Sequence, residues 1–289
     1  MSIINKLKIR SGLISDFEQI SELCKNIWNG HDFLPDVWIN WISKDADSFY
    51  VAELDNKIIG VYHHCILGSD SWLETLRVDE KYRRQGIAQY LVSDYIKRMQ
   101  KLTIHNIRLV TSVKNIASIN LFTNNNFVEV LNSQYCSIEF ENISSDDVSV
   151  EFSLVDDSQK IYSLLVNSRI NDSLIPLWWR WWEPTHPTLS ELSKNSFILL
   201  PESNYSSFIV IQRSKNFGYK DDYQIFFSEM SDIILNSALS FIKNIDPSIT
   251  NRKIFCIPKI NSSQLQILKD MGFKQSTSLV ILERRFNST

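Results

Sequence analysis

The chain has little of what a secreted, membrane-bound or nucleic-acid-binding protein needs. Four cysteines in 289 residues, Cys24, Cys65, Cys136 and Cys256, lie far apart with no CxxC pair and no metal-ligand spacing, which excludes a disulfide framework and a thiolate metal centre. They are expected to be buried apolar thiols of a reducing compartment, and no metal is expected. No apolar run approaches the roughly 18 residues that span a bilayer. The opening MSIINKLKIR has no apolar signal core, so a cytoplasmic protein without a membrane partner is expected. Positive charge is not in excess: 30 Lys and Arg stand against 33 Asp and Glu, a formal net charge of -3, and no nucleic-acid partner is expected.

What the chain does have is an ordinary globular composition, 44% hydrophobic and 22% charged, and enough length for two domains of about 140 residues each. An internal comparison divides it. Shifted by 141 positions, Asp16 falls on Asp157, Ile20 on Ile161, Leu23 on Leu164, Asn26 on Asn167, Pro35 on Pro176, Trp38 on Trp179 and Trp41 on Trp182. At a shift of 146, Asn115 falls on Asn261 and Phe127 on Phe273. Seven coincidences at one offset mark a diverged tandem duplication. The halves are 1–143 and 144–289, joined by the polar stretch 142–147.

Periodicity and end signals give each half a similar order of elements. The first half reads as a strand 7–10, a helix capped by Ser15-Asp16, a helix opened by Pro35, and hairpin strands 49–54 and 58–67. A strand 72–78, a helix 87–101, a strand 107–113, a helix 117–123 and a last strand region 128–141 follow. The second half reads as a strand 149–154, a helix 158–167, a tryptophan-rich helix 176–182, and strands near 196–200, 206–213 and 222–228. A helix 232–244, a strand 253–257, a helix 261–270 and a strand 276–285 complete it. This order implies an α/β fold of two tandem domains, each a mixed, mostly antiparallel sheet flanked by helices.

The segment Val78-Asp-Glu-Lys-Tyr-Arg83-Arg-Gln-Gly86-Ile-Ala88 carries chemistry. A strand runs into a tight turn that opens a helix, so free backbone N–H groups coincide with the positive end of the helix dipole, a site for phosphate or pyrophosphate. Gly86 admits the ligand to the backbone and Ala88 keeps the helix entrance uncrowded. Arg83 and Arg84 add full charges. A solvated basic turn ahead of an ordinary helix is the plainer alternative.

Val-x-x-x-x-Arg-x-x-Gly-x-Ala resembles the pyrophosphate loop of the GCN5-related N-acetyltransferase (GNAT) superfamily. A second signature follows about 30 residues on, Asn115-Ile-Ala-Ser118-Ile-Asn-Leu121-Phe122-Thr-Asn-Asn-Asn126-Phe127, similar to the family's segment beside the coenzyme. The resemblance covers residues 7–140 and implies acetyl-CoA as co-substrate. It implies backbone bonds from Leu76 and Val78 to the pantetheine arm, and a pyrophosphate cradle from Arg84, Gln85, Gly86, Ile87 and Ala88 with Arg83 nearby. It also sets Asn115, Ser118 and Phe122 beside the coenzyme. Two positions depart from the pattern: Phe122 replaces a frequent tyrosine that can protonate the leaving thiolate, and Asn126 replaces a glycine, a residue that also tolerates the left-handed helix-end conformation. In the second half the matching stretch Phe226-Phe-Ser-Glu-Met-Ser-Asp has no glycine and no arginine. Glu229 and Asp232 would repel a pyrophosphate, so one coenzyme site per chain is expected. The second half then completes a substrate cleft, as a second subunit does in dimeric relatives, in a monomeric pseudo-dimer.

Transfer to an amine needs a base and a carbonyl polariser. Glu74 precedes Leu76 by two and Val78 by four, so on one regular strand these side chains share a face. A carboxylate there acts directly or through water, or serves only as a strand salt-bridge partner. His63 and His64 are the other candidates, of which at most one faces the cleft. The acceptor is expected near His31, Asp32 and Phe33, with Asp32 holding an ammonium and aromatics stacking on it, and with His64 as a further contact. Trp38 and Trp41 read as core. Asn-Gly-His-Asp-Phe-Leu-Pro resembles the corresponding segment of histidine N-acetyltransferases. The tandem layout with one degenerate copy resembles self-resistance enzymes that acetylate amine-bearing peptide antibiotics. The expected acceptor is a primary amine on a small, amino-acid-like molecule. A protein or peptide acetyltransferase and a non-catalytic acyl-CoA-binding module are the alternatives.

Overall fold

The structure is a computed structural model and describes residues 3–143, 150–167, 174–201, 208–213, 222–227, 231–245 and 252–286. It comprises two compact units: Met1–Thr111, Asn115–Glu129 and Leu282–Thr289 form unit 1, and Ser112–Lys114 with Val130–Ile281 form unit 2. No helix among the described residues is long and apolar enough to cross a membrane.

Unit 1 runs β1 (Lys8–Ser11), α1 (Phe17–Cys24), α2 (Leu34–Lys44), β2 (Phe49–Leu54), β3 (Lys57–Leu67), β4 (Asp70–Val78), α3 (Ile87–Lys101), β5 (Asn106–Ser112) and α4 (Ile116–Thr123). β1 to β4 form an antiparallel meander. β5 joins β4 in parallel, pairing Asp70–Trp72 with Asn106–Arg108. α2 is held by its apolar stripe: Leu34, Val37, Trp38, Trp41 and Ile42 are buried, and Trp38 lies 4.4 Å from Phe49 between ring centroids. Burying such a side chain contributes about 2–3 kcal/mol, so Trp38 and Trp41 are core. α3 buries Ile87, Leu91, Val92, Tyr95, Ile96 and Met99; Leu91 and Ile87 close on Gly60 of β3, where an added Cβ would meet Leu91 Cδ1 at 2.9 Å.

The chain leaves unit 1 inside β6 (Val128–Glu139), ahead of the stretch 142–147, of which 144–147 fall outside the described residues. Unit 2 continues with β7 (Phe152–Val155), α5 (Ser158–Asn167), β8 (Ile175–Pro176), β9 (Trp181–Trp182), α6 (His186–Asn195), β10 (Ser196–Pro201) and β11 (Ile209–Arg213). It goes on with β12 (Tyr223–Phe227), α7 (Asp232–Ile245), β13 (Lys253–Cys256), α8 (Ser263–Asp270) and β14 (Lys274–Arg285), whose last residues from Leu282 on belong to unit 1. Its sheet repeats the plan of unit 1. β7, β10, β11 and β12 are antiparallel, and β13 joins β12 in parallel. Leu235, Ala238, Leu239 and Ile242 of α7 pack with Ile211, Ile225 and Ile254 in its core. Cys24, Cys136 and Cys256 are buried and free, and burial pushes the thiols of Cys24 and Cys136 up to about 12 and about 11.

The mixed, mostly antiparallel α/β architecture is the expected one. One element is not. The tryptophan-rich helix expected over 176–182 is a hairpin of β8 and β9, closed by Leu177 N donating to Arg180 O at 2.7 Å. Trp178 and Trp179 have φ of 44° and 61°, left-handed values that a right-handed helix cannot contain. Gln212 fixes the turn by accepting from Trp178 N at 3.1 Å and donating to Pro176 O at 2.9 Å. The second helix of unit 2 is instead α6, opened by Pro187. The offset of 141 therefore matched α1 with α5 correctly but carried Trp38 and Trp41 onto a hairpin.

Candidate active site

β4 leads from a buried pair of side chains to an open helix start. Its register against β3 shifts: His63 faces Glu74, but Val61 faces Arg77, so Thr75 and Leu76 together oppose Tyr62. Thr75 takes φ 56° to make this bulge. The bulge corrects the regular-strand expectation that Glu74 shares a face with Leu76 and Val78. One extra residue resets the alternation, so Glu74 shares its face with Arg77, and Val78 falls on the other.

Glu74 Oε1 lies 2.8 Å from His63 Nδ1, with both side chains nearly buried. The His63 ring packs 4.6 Å from Trp41 and 4.4 Å from Phe49, and Phe33 packs on Trp41 and Trp28. A carboxylate on one imidazole nitrogen fixes the tautomer and the orientation of the ring. Thr75 adds a buried hydroxyl, Oγ1, with no hydrogen-bond partner among the described residues, beside Glu74 in the chain.

His64 points to the opposite face, against Tyr50, Tyr62 and Tyr95, so of the two histidines it is His63 that meets Glu74. Burial, and next the charge of His63, push the His64 imidazole down to about 4 from 6.5. Its folded-state value lies below its unfolded one, so its contribution is present above pH 6.5 and is lost as pH falls towards 4. The loss amounts to roughly 3 kcal/mol. Denaturant unfolding between pH 7 and 4 should show this loss in the native chain and a flatter profile in His64→Phe; equal profiles would overturn it.

Asp32 does not stand open for an ammonium. It accepts from Leu34 N at 3.2 Å at the start of α2, and from Arg77 Nε and Nη2 at 2.7 and 3.2 Å. Its side chain is 1% exposed, so an internal guanidinium already meets the charge. Trp28 covers Arg77 at 4.7 Å, itself left-handed with Asn29 (φ 49° and 58°). His31 is exposed. The sequence alone does not reveal this pairing, since nothing local links Arg77 to Asp32, 45 positions away.

At the far end of β4, Arg84 and Gly86 take φ of 62° and 83° and turn the backbone into the start of α3. Gly86 is the N-cap and no side chain caps the helix; its first bond is Tyr90 N to Gly86 O at 2.9 Å. The amides between carry no helical partner, and left-handed residues in such a turn aim successive N–H groups into one concavity. Arg83, Arg84, Gln85 and Gly86 are exposed, Ile87 is buried and Ala88 is partly buried. These residues fit a pyrophosphate. Unit 2 differs at the same place: Ser231 Oγ accepts from Ile234 N at 3.3 Å and Asp232 Oδ1 from Ile233 N at 2.9 Å, so α7 is capped from within. Glu229 lies outside the described residues.

Across the β4–β5 splay, Asn115 caps α4 by accepting from Ser118 N at 3.2 Å. Phe122 is buried against Phe127 and offers no proton. α4 ends with Asn126 at φ 61°, Asn126 N bonded to Thr123 O and Phe127 N to Phe122 O; α8 ends the same way with Gly272 at φ 83°. At its start, α8 is capped by Ser262 rather than Asn261.

Residues 14–127 match the acetyltransferase (GNAT) family. The matched segment lies within unit 1 apart from Ser112–Lys114. A histidine N-acetyltransferase from Scomber australasicus is 28% identical over 79 residues, 27% of this chain. That stretch spans only 23% of the relative's length. Over the whole chain the fold is that of tandem GNAT proteins. The tandem GNAT protein from the clavulanic acid biosynthesis pathway superposes with a TM-score of 0.62 at 9% identity, covering 98% of this chain and 99% of its own. The GCN5-related N-acetyltransferase from Sphaerobacter thermophilus gives 0.66 at 10%, covering 97% and 96%.

Unit 2 buries a facing pair of neutral amides in its sheet. Gln212 and Gln224 face each other on β11 and β12, both 0% exposed, so no proton acceptor stands at this pair. Gln224 Nε2 and Oε1 have no partner among the described residues. Gln224→Leu should therefore raise stability to unfolding by about 1 kcal/mol; a lower denaturation midpoint would show that the amide is satisfied in solution.

Proposed function

We propose that the chain transfers the acetyl group of acetyl-CoA to the primary amine of a small, amino-acid-like molecule, and that unit 1 performs the reaction. The observation that carries this is the layout of β4, with a buried carboxylate–imidazole pair before its bulge and an uncapped, anion-ready turn at its end. The backbone of Arg84 to Ala88, with Arg83 nearby, would hold the pyrophosphate. Leu76 and Val78, and across the splay Asn115 and Ser118, would hold the pantetheine arm. Acetyl-CoA supplies an activated thioester carbonyl. Glu74, through His63 or water, takes a proton from the substrate ammonium. The free amine then attacks the thioester carbonyl, and the C–S bond breaks as the N–C bond forms. The departing thiolate takes up the second proton shed by the nitrogen. Trp41 and Phe49 pack on the His63 ring, with Phe33 against Trp41, and this aromatic surround suits a small acceptor better than an extended peptide. Phe122 leaves the thiolate without an acid at the family's tyrosine position; the Thr75 hydroxyl is the buried donor available near the bulge.

An amine-bearing antibiotic is the second acceptor class, and the tandem layout with one unit lacking the coenzyme turn favours it. The reading takes the chain to act as a monomer. Thiol release from acetyl-CoA over free amino acids, including histidine, amine-bearing antibiotics and N-terminal peptides tests it. Saturable turnover with a small amine is expected. Turnover with peptides alone would move the assignment to protein acetylation, and coenzyme binding with no turnover would leave an acyl-CoA-binding module.

A further inference from the structure

Residues Leu282–Thr289 belong to unit 1, and two consecutive side chains among them reach both sides of the proposed coenzyme cleft. Glu283, 3% exposed, accepts from Arg108 Nε at 2.5 Å. Arg108, 1% exposed, donates through Nη1 to Asp70 Oδ2 at 2.5 Å, and Asp70 Oδ1 accepts from Asn106 at 2.8 Å. This network sits where β4 and β5 pair, Asp70–Trp72 with Asn106–Arg108, at the root from which the two strands go their separate ways. One arm leads to Glu74, the bulge and the Arg84–Ala88 turn, the other to Asn115.

The neighbouring Arg284 donates through Nη1 to Asn125 O at 2.7 Å. Asn125 follows α4, and its side chain donates to Leu121 O at 2.7 Å. It also exchanges two bonds of 2.8 and 2.9 Å with Gln89 in the first turn of α3. That first turn is the proposed pyrophosphate cradle. The dipeptide thus ties the root of the splay and links the end of α4 to the start of α3.

We propose that Glu283 and Arg284 are positioning residues for the coenzyme, so that the C-terminal strand sets acetyl-CoA affinity in a site whose proposed ligands all lie between Leu76 and Phe122. The physical reason is that a buried guanidinium shared by two carboxylates has a narrow set of satisfied geometries, and neutralising Glu283 leaves Asp70 as the carboxylate that orients Arg108, so the guanidinium is no longer held from both sides. The two arms it anchors then lose their fixed separation. Small misplacements of binding groups weaken recognition well beyond the contact removed. The proposal rests on the acetyl-CoA reading.

The test uses the full chain and the variants Arg284→Ala, Arg284→Lys and Glu283→Gln. Acetyl-CoA affinity is read by calorimetry and, with a turned-over amine, KM for acetyl-CoA is compared with KM for the amine. All are measured well below each variant's melting temperature. Arg284→Ala and Glu283→Gln should raise the acetyl-CoA Kd and KM by about tenfold or more, with the amine KM within about twofold, and Arg284→Lys should recover part of the loss. A purely structural role would lower the melting temperature and leave both KM values of the folded fraction unchanged; that result overturns the proposal. If Glu283→Gln does not fold, Arg284→Ala alone decides. A native chain that binds no acetyl-CoA removes the functional reading and this proposal together, whereas a native chain that binds it, with variants binding equally, removes this proposal alone.

Discussion

Glu74→Gln is expected to lower kcat by about 10²–10⁴-fold, the range for removing a positioned general base, while acetyl-CoA affinity stays within about twofold. The amide is nearly isosteric and can still hydrogen-bond to His63 across the 2.8 Å contact, so folding and the aromatic packing around His63 should survive. What is lost is the carboxylate that can take up a proton. A loss confined to kcat marks an interaction made in the transition state, and a loss confined to the amine KM marks one made equally in the ground state. If kcat is unchanged, Glu74 only holds the His63 ring, and His63→Gln becomes the variant that must abolish turnover. If both variants are fully active, the proton leaves by another route and the assignment to the β3–β4 pair falls.

Glu74 stood out in the sequence as a candidate base, but its surroundings were legible only in part. Where a signal is local, sequence and structure coincide. α3 runs Ile87–Lys101 and α5 runs Ser158–Asn167, as apolar spacing and end residues imply. Asn126 takes the left-handed helix-end conformation expected of it. The His63–Glu74 pairing was within reach too, by counting back along the hairpin in which Leu67 faces Asp70. The bulge at Thr75 was not, because it exists only in the pairing of β4 with β3 and leaves no turn residue to mark it. Tryptophan is not a turn residue either: Trp178 and Trp179 accept left-handed angles because Gln212, 34 positions from Trp178, holds their turn. Asp32 and Arg77 likewise find each other across 45 positions, which turned a predicted substrate carboxylate into an internal ion pair. Long-range polar pairing is the common term in these departures.

Gly86→Glu should weaken acetyl-CoA binding by at least about 100-fold, and two independent causes act in the same direction. Gly86 has φ 83°, where any residue with a Cβ is strained by about 1–2 kcal/mol. The space itself is not the obstacle, since an added Cβ would lie 3.7 Å from Ile4 Cδ1, an ordinary contact. Strain therefore favours a rearranged turn in which the amides ahead of Tyr90 no longer converge. The new carboxylate also lies where the helix dipole and the free N–H groups attract an anion, so it competes with the pyrophosphate and repels it. Gly86→Ala separates the causes, because it keeps the strain and adds no charge. A loss of about tenfold is expected there. Calorimetry with acetyl-CoA reads both variants, and desulfo- and dephospho-analogues are unnecessary if the uncharged substitution already gives the smaller loss. Unchanged affinity in Gly86→Glu would remove the coenzyme from this turn, and with it the reason for placing the amine at Glu74, since both assignments depend on the same strand leading from one to the other.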